Sequence, residues 1–269
     1  MKLPSRAFWR RALLVVQLLL LIPIGWFVCH VFLPRGFSSK TAEKLPLSLS
    51  SGAFSVMYYP AEAPKGIVIV ATGDGGWSDQ WEEPTALHLA EAGYAVGGWD
   101  CRDFADTRKF DKARLTEAFN AAVAAVRAKA KLPEDTPVWF TGWSTGAEWS
   151  LCAASGPDRE KHLVGVLPAA PGAHSRFGIS ESDLLGVEPS GPGTYALADL
   201  ADGLEGLPIV QFAGEDDPLD DVDWAKSLKP ETPYKLITIP GAPHDMDGAG
   251  PRFLAEFDEA LQWTRERKK

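Results

Sequence analysis

The chain has 269 residues, 45% of them apolar, and a formal net charge of −9, enough apolar content to bury the core of one large α/β domain or two small ones. Residues 1–35 hold five of the 27 basic residues and none of the 36 acidic ones, so the remainder stands at −14. A body that acidic excludes nucleic acid as a partner and is repelled by an anionic lipid surface.

Residues 12–33, "ALLVVQLLLLIPIGWFVCHVFL", run for 22 positions without a formal charge behind Lys2, Arg6, Arg10 and Arg11. That length spans a bilayer core of roughly 30 Å as a helix, so residues 1–35 are expected to form an uncleaved membrane anchor. A cleavable signal peptide is the rival, opposed by the length of the run and by the lack of a small-residue cleavage site after it. The basic flank stays in the cytoplasm, which sends the C-terminal domain across the membrane, into the periplasm of a Gram-negative cell. Residues 36–52 are polar and serine-rich, the composition of a spacer leading into the first strands, and residues 53–269 form the remaining domain.

Within that domain strand-like and helix-like segments alternate. Strands are expected at 54–59, at 66–72 ("GIVIVAT") and at 95–101, and helices at 79–92 and, in an alanine-rich stretch, at 113–129. A buried strand at 137–141 is followed by a helix through about Ala154, then by strands at 163–167, 208–212 and 234–239 and a closing helix at 254–265. Such alternation means a mainly parallel sheet with helices on both faces. Residues 174–207, rich in Gly, Pro and Ser, interrupt the rhythm and read as a partial lid over a site or as a surface loop.

The sequence "TGWSTGA", 141–147, places Ser144 between Gly142 and Gly146. A G-x-S-x-G match alone occurs by chance in about one chain in ten of this length, so its context decides. The motif needs a strand before it and a helix after it, because the serine sits in a strained turn where only glycine neighbours clear the backbone. Both flank it here, and Ser144 is the candidate nucleophile.

A serine needs a base to take its proton and an acid to hold that base. The α/β-hydrolase chain order, Ser then Asp or Glu then His, is met by "FAGEDDPLDD" after one expected strand and "IPGAPHDMDG" after the next. His244 is the candidate base; His30 falls in the anchor, His88 in a helix, and His162 and His174 come too early. Asp217, three residues past Gly214, is the candidate acid, with Asp216 as the alternative and Glu215, Asp220 and Asp221 as loop or capping residues. The oxyanion requires two amides, one from the residue after the nucleophile, Thr145, and one from the glycine-rich loop "TGDGGW", for which Asp74 is the candidate. The Asp74 side chain either braces its loop or faces the acyl group and pairs with a cationic substrate group. Trp77 and Trp143, near these motifs, are candidate pocket residues, while most of the tryptophans around them belong to the core. Cys101 and Cys152 are too few for a disulfide framework and read as small apolar residues.

"ATGDGGW", "GWSTGA", "RFGISESDLLG", "LPIVQFAGEDD" and "IPGAPHDMDGAG" together resemble the VirJ/AcvB family of bacterial virulence-associated serine hydrolases, over about residues 54–265. The resemblance implies an α/β-hydrolase fold and hydrolysis of aminoacylated phosphatidylglycerol, notably the lysyl ester, at the outer face of the inner membrane. It carries the roles of nucleophile, acid, base and oxyanion loop to Ser144, Asp217, His244 and Asp74, and the expected reaction runs through an acyl-enzyme without metal or organic cofactor. Pro243, Asp245 and Met246 around His244, and the abundance of carboxylates in the acid loop, depart from the family pattern. Two other functions fit the same residues: a general carboxylesterase or thioesterase, and a non-catalytic accessory or chaperone of envelope transport built on the same fold.

Overall fold

The computed structural model describes residues 39–268, together with Leu21, Ile22 and Gly25. The expected anchor at 12–33 therefore lies, those three positions apart, outside the described residues, and no helix among the described residues is long and apolar enough to cross a membrane.

Among the described residues from Ser39 onward, ten strands and six α-helices follow in order: β1 Glu43–Leu49, β2 Gly52–Tyr59, β3 Ile67–Ala71, α1 Glu82–Glu91, β4 Ala95–Trp99, α2 Cys101–Thr107, α3 Lys112–Ala130, β5 Val138–Trp143, α4 Thr145–Ala154, β6 Leu163–Ala169, β7 His174–Arg176, β8 Thr194–Ala196, β9 Ile209–Gly214, β10 Tyr234–Ile239, α5 Met246–Ala249 and α6 Pro251–Arg267. Eight strands form one sheet in the order β1-β2-β4-β3-β5-β6-β9-β10, and β7 and β8 make a separate antiparallel pair. From β4 to β10 every neighbour is parallel, while β2 runs antiparallel to β4 and β1 antiparallel to β2.

Alternation along β3 shows why the sheet is covered on both faces. Ile67, Ile69 and Ala71 point into a cluster with Leu115, Phe119 and Val123 of α3 and Trp149 of α4. Val68 and Val70 point the other way, into a cluster with Leu89 of α1 and Phe253, Phe257 and Leu261 of α6. A strand buried on both faces reads as an unbroken apolar run, which is what "IVIVA" is. The alanine-rich α3 is capped by Asp111, whose side chain accepts from the Arg114 amide at 3.0 Å, and ends at Lys131 in the left-handed conformation.

The structure corrects the expected boundaries at two places. Residues 43–49, within the expected spacer, form the edge strand β1; Leu45 and Leu47 alternate inward, a period-2 signal that the surrounding serines mask. The strand expected at 95–101 ends at Trp99, because Asp100 caps α2 by accepting from the Asp103 amide at 2.9 Å and Cys101 begins that helix. Cys101 and Cys152 are both free and buried.

Candidate active site

Ser144 stands between β5 and α4 with φ 53° and ψ −123°, a left-handed backbone that a serine adopts only when its surroundings enforce it. The two glycines of the motif enforce it. A Cβ on Gly142 would overlap the backbone of Gly146, and a Cβ on Gly146 would overlap the carbonyl oxygens of Ala71 and Thr72 at the end of β3. The Ser144 amide donates to Ala169 of β6 at 2.9 Å, so the turn is tied to the neighbouring strand end.

The loops after β9 and β10 meet beside it. His244 Nδ1 and Asp217 Oδ2 are 2.7 Å apart, with the Asp217 side chain fully buried and that of His244 24% exposed. Burial alone raises a carboxyl pKa; here the hydrogen bonds from His244 and from the Leu219 amide, at 2.8 Å, prevail and hold Asp217 below its ordinary value. Asp216 is exposed, and its amide donates to the Ala242 carbonyl at 3.0 Å. The remaining acids of the loop have other partners: Glu215 accepts from the Gly241 amide at 2.8 Å, and Asp221 accepts from the Asp223 amide at 2.9 Å at the start of a 3-10 turn. Asp220 accepts from Gln211 Nε2 at 3.0 Å, and burial, reinforced by the charge of Asp217, pushes its pKa up to about 7.

Ser144, Thr145, Asp74 and His244 all line one cavity of about 290 Å³. Thr145 opens α4, and amides of a first helical turn have no carbonyl partner within the helix, which makes this end a natural holder of negative charge. The loop carrying Asp74 is held from behind. The Gly73 amide donates to Glu82 at 3.4 Å, and the Trp77 amide to Asp100 at 3.0 Å. Thr72 Oγ1 donates to the Gly73 carbonyl at 2.8 Å and accepts from the Cys101 amide at 3.0 Å.

Trp77 and Trp143 are not among the residues that line this cavity. Trp77 is 2% exposed: its ring lies where the side chain of Gly98 in β4 would otherwise be, stacks on Tyr59, and donates Nε1 to Glu83 at 3.0 Å. Gly98 leaves that space, so Trp77 is a core residue and not a pocket residue. Trp143 packs its ring against Gly73 and donates Nε1 to the His244 carbonyl at 2.7 Å, which makes it a brace between two loops of the site.

The cavity also holds residues that sequence reasoning missed. Glu148, four positions after Ser144 and so on the same side of α4, accepts from the Gly172 amide at 3.1 Å. Burial, with the charges of Asp74 and Asp183 adding to it, raises its pKa to about 7. Asp183 accepts from the Ser180 amide at 2.7 Å, pairs with Arg176 at 3.2 Å, and keeps its buried Oδ1 without a hydrogen-bond partner. Together with Asp74, Glu188 and Asp221 these bring five carboxylates to the lining, which among the described residues includes no lysine or arginine. The i+4 spacing from Ser144 was the available signal for Glu148, and for Asp183 its place in the "RFGISESDLLG" segment that carries part of the resemblance.

Of the interrupting segment at 174–207, the first part borders the cavity through His174, Asp183, Gly186, Val187, Glu188 and Pro189. The rest turns back into the core, where Leu197, Leu200 and Leu204 are buried.

No family model and no curated protein matches the chain. Solved structures do. An esterase of Pyrococcus furiosus is similar at 15% identity and a TM-score of 0.64 over 86% of this chain and 96% of its own. An α/β-hydrolase of a Penicillium species is similar at 12% identity and a TM-score of 0.64, with 84% and 99% covered. A serine hydrolase of Xanthomonas campestris, described as lacking a lid, is 20% identical with a TM-score of 0.52 and 87% and 97% covered. At these identities the likeness speaks for architecture, and with the strand order and the strand-turn-helix around Ser144 it establishes that this chain has the α/β-hydrolase fold.

Proposed function

We propose that the protein is a serine ester hydrolase in which Ser144 is the nucleophile, His244 the base and Asp217 the acid. The observation that carries this reading is that a strained Ser144 and His244 line one cavity, with His244 held 2.7 Å from the buried Asp217, the three residues coming from three separate strand ends. Ser144 Oγ attacks the acyl carbonyl as His244 Nε2 takes its proton, and Asp217 holds the ring through Nδ1 and stabilises the imidazolium. The oxyanion is received by the amide of Thr145 at the start of α4 and by that of Asp74. His244 returns the proton to the departing alcohol, and a water then releases the acyl group from Ser144 by the same steps reversed.

The substrate class we propose is an aminoacyl ester of phosphatidylglycerol, the lysyl ester foremost, cleaved by a domain held at the outer face of the inner membrane through residues 12–33. Two things support it: the resemblance of the motifs to the VirJ/AcvB family, and a cavity that presents Asp74 and Glu148 beside Ser144 with, among the described residues, no lysine or arginine in its lining. A cationic acyl group is favoured there and an anionic one repelled. Asp74 and Glu148 are the carboxylates assigned to the substrate ammonium.

The test is release of free lysine from lysyl-phosphatidylglycerol vesicles, with Ser144→Ala as control and p-nitrophenyl acetate as a neutral ester. Lysine release that depends on Ser144 is expected. Cleavage of the neutral ester alone would keep the triad and reduce the function to a general carboxylesterase, and failure of a fluorophosphonate to label Ser144 would refute the hydrolase reading altogether.

A further inference from the structure

Large apolar side chains are exposed at few places in the folded domain, and they are not scattered. Beyond residue 38, those described as exposed are Leu185, Val187, Leu219, Val222 and Leu236, at 52%, 54%, 46%, 38% and 40% of their surface. Four of the five belong to two loops at the mouth of the Ser144 cavity. Val187 and Leu219 line it, Leu185 stands between the lining residues Asp183 and Gly186, and Val222 follows Asp221. The two loops touch: a Cβ on Gly186 would lie 3.7 Å from a terminal carbon of Leu219. Isolated exposed leucines need no explanation, whereas four exposed apolar side chains gathered in two touching loops beside a cavity mark a surface that meets something apolar.

The chain enters the described fold at Ser39, beside the first turn of α1. Ser39 donates to Glu83 at 2.7 Å, in the first turn of α1 and next to Glu82, whose carboxylate holds the Gly73 amide of the cavity loop. Five residues separate Ser39 from the end of the uncharged run at Leu33, a reach of about 20 Å at full extension. A bilayer that takes up residues 12–33 is therefore never far from the cavity loop.

We infer that the cavity mouth docks on a phospholipid surface, with Leu185, Val187, Leu219 and Val222 entering its apolar layer, so that the ester is drawn from the bilayer rather than from solution. This inference rests on the lipid-ester reading of the site. Attraction between charges does not drive the docking: the domain is strongly acidic, and Glu188 and Asp221 stand at the mouth itself. Uncharged lipid suffices, and salt has little effect on the contact.

The experiment uses the full chain in phosphatidylcholine vesicles with brominated acyl chains. Cys29 is replaced by serine; Cys101 and Cys152 are buried and stay. A single environment-sensitive fluorophore is attached through Leu185→Cys, Val222→Cys or, as reference, Leu236→Cys on β10. Quenching by the brominated chains at 185 and 222 is expected to exceed that at 236 by at least twofold, with a blue-shifted emission, and to persist in 0.5 M salt. Equal or weaker quenching at 185 and 222 overturns the inference. The same labels on Ser144→Ala protein separate the two readings: quenching that survives while the unsubstituted chain releases no lysine would leave the docking intact and the substrate wrong.

Discussion

Trp143 and His244 are joined twice: the indole Nε1 donates to the His244 carbonyl at 2.7 Å, and the two rings lie with centroids 5.3 Å apart. Because Trp143 immediately precedes Ser144 in the chain, the base is anchored to the strand that presents the nucleophile. The indole thus fixes the spacing of two groups whose own loops are over 90 residues apart in sequence.

Trp143→Phe keeps most of the ring and removes that donor. A hydrogen bond of this kind is worth about 1 kcal/mol net, so kcat is expected to fall about fivefold with KM little changed. Steady-state kinetics on a neutral ester measure it. A change confined to KM would mean that Trp143 contacts substrate instead of positioning His244.

Asp217→Asn preserves the shape of the buried acid and removes its charge. The ring of His244 is then offered an amide, which favours the wrong tautomer, and kcat is expected to drop on the order of ten-thousandfold while the fold survives. Asp216→Asn, at the exposed neighbouring position, should leave kcat within about twofold. If the two variants lose activity equally, the pairing of Asp217 with His244 is not what orients the base.

Gly146→Ala tests the elbow itself. Its Cβ would overlap two backbone oxygens at the end of β3, which cannot move without breaking the sheet. The expected loss of stability is on the order of 3 kcal/mol, read as a lowered urea midpoint with unchanged slope. A Cys152→Ala substitution, which only shortens a buried side chain elsewhere on α4, provides the comparison for an ordinary core change on the same helix.

Glu148 makes stability depend on pH with a sign opposite to that of a salt-bridged acid. Its carboxyl is raised from 4.5 to about 7 in the folded chain, so between those values the folded state holds a proton that the unfolded state has lost. Stability from this group is thus fully present below about pH 4.5, declines as pH rises towards 7, and is gone above it, a total of about 3 kcal/mol. Glu148→Gln should flatten that decline and be the more stable protein at pH 8, as urea titrations at pH 5 and pH 8 would register. A variant no more stable than the unsubstituted chain at pH 8 would show that the ionised Glu148 is well accommodated.

Much of this site was legible in the amino-acid order because its decisive constraints are local. The unbroken "IVIVA" run marks a strand buried on both faces, and Gly142 and Gly146 mark a turn too tight for a Cβ, whatever surrounds them. The succession of Ser144, an acid after β9 and His244 after β10 follows from the parallel alternation, which brings successive strand ends to one edge of the sheet. Side-chain direction in the loops is a different matter, since it is settled by contacts made across long stretches of chain. Asp217 and Asp216 are adjacent and chemically alike, and only the approach of His244, 27 residues later, tells them apart. Trp77 reads as a pocket residue until Gly98 gives its ring a place in the core, and Trp143 until His244 supplies an acceptor. Leu45 and Leu47 are hidden among serines and become a strand when β2 offers an edge. The acidity of the cavity belongs wholly to the tertiary structure: Glu148 comes from a helix, Asp183 from a distant loop and Asp74 from the loop after β3, and their charges act on one another only because folding brings them to one cavity.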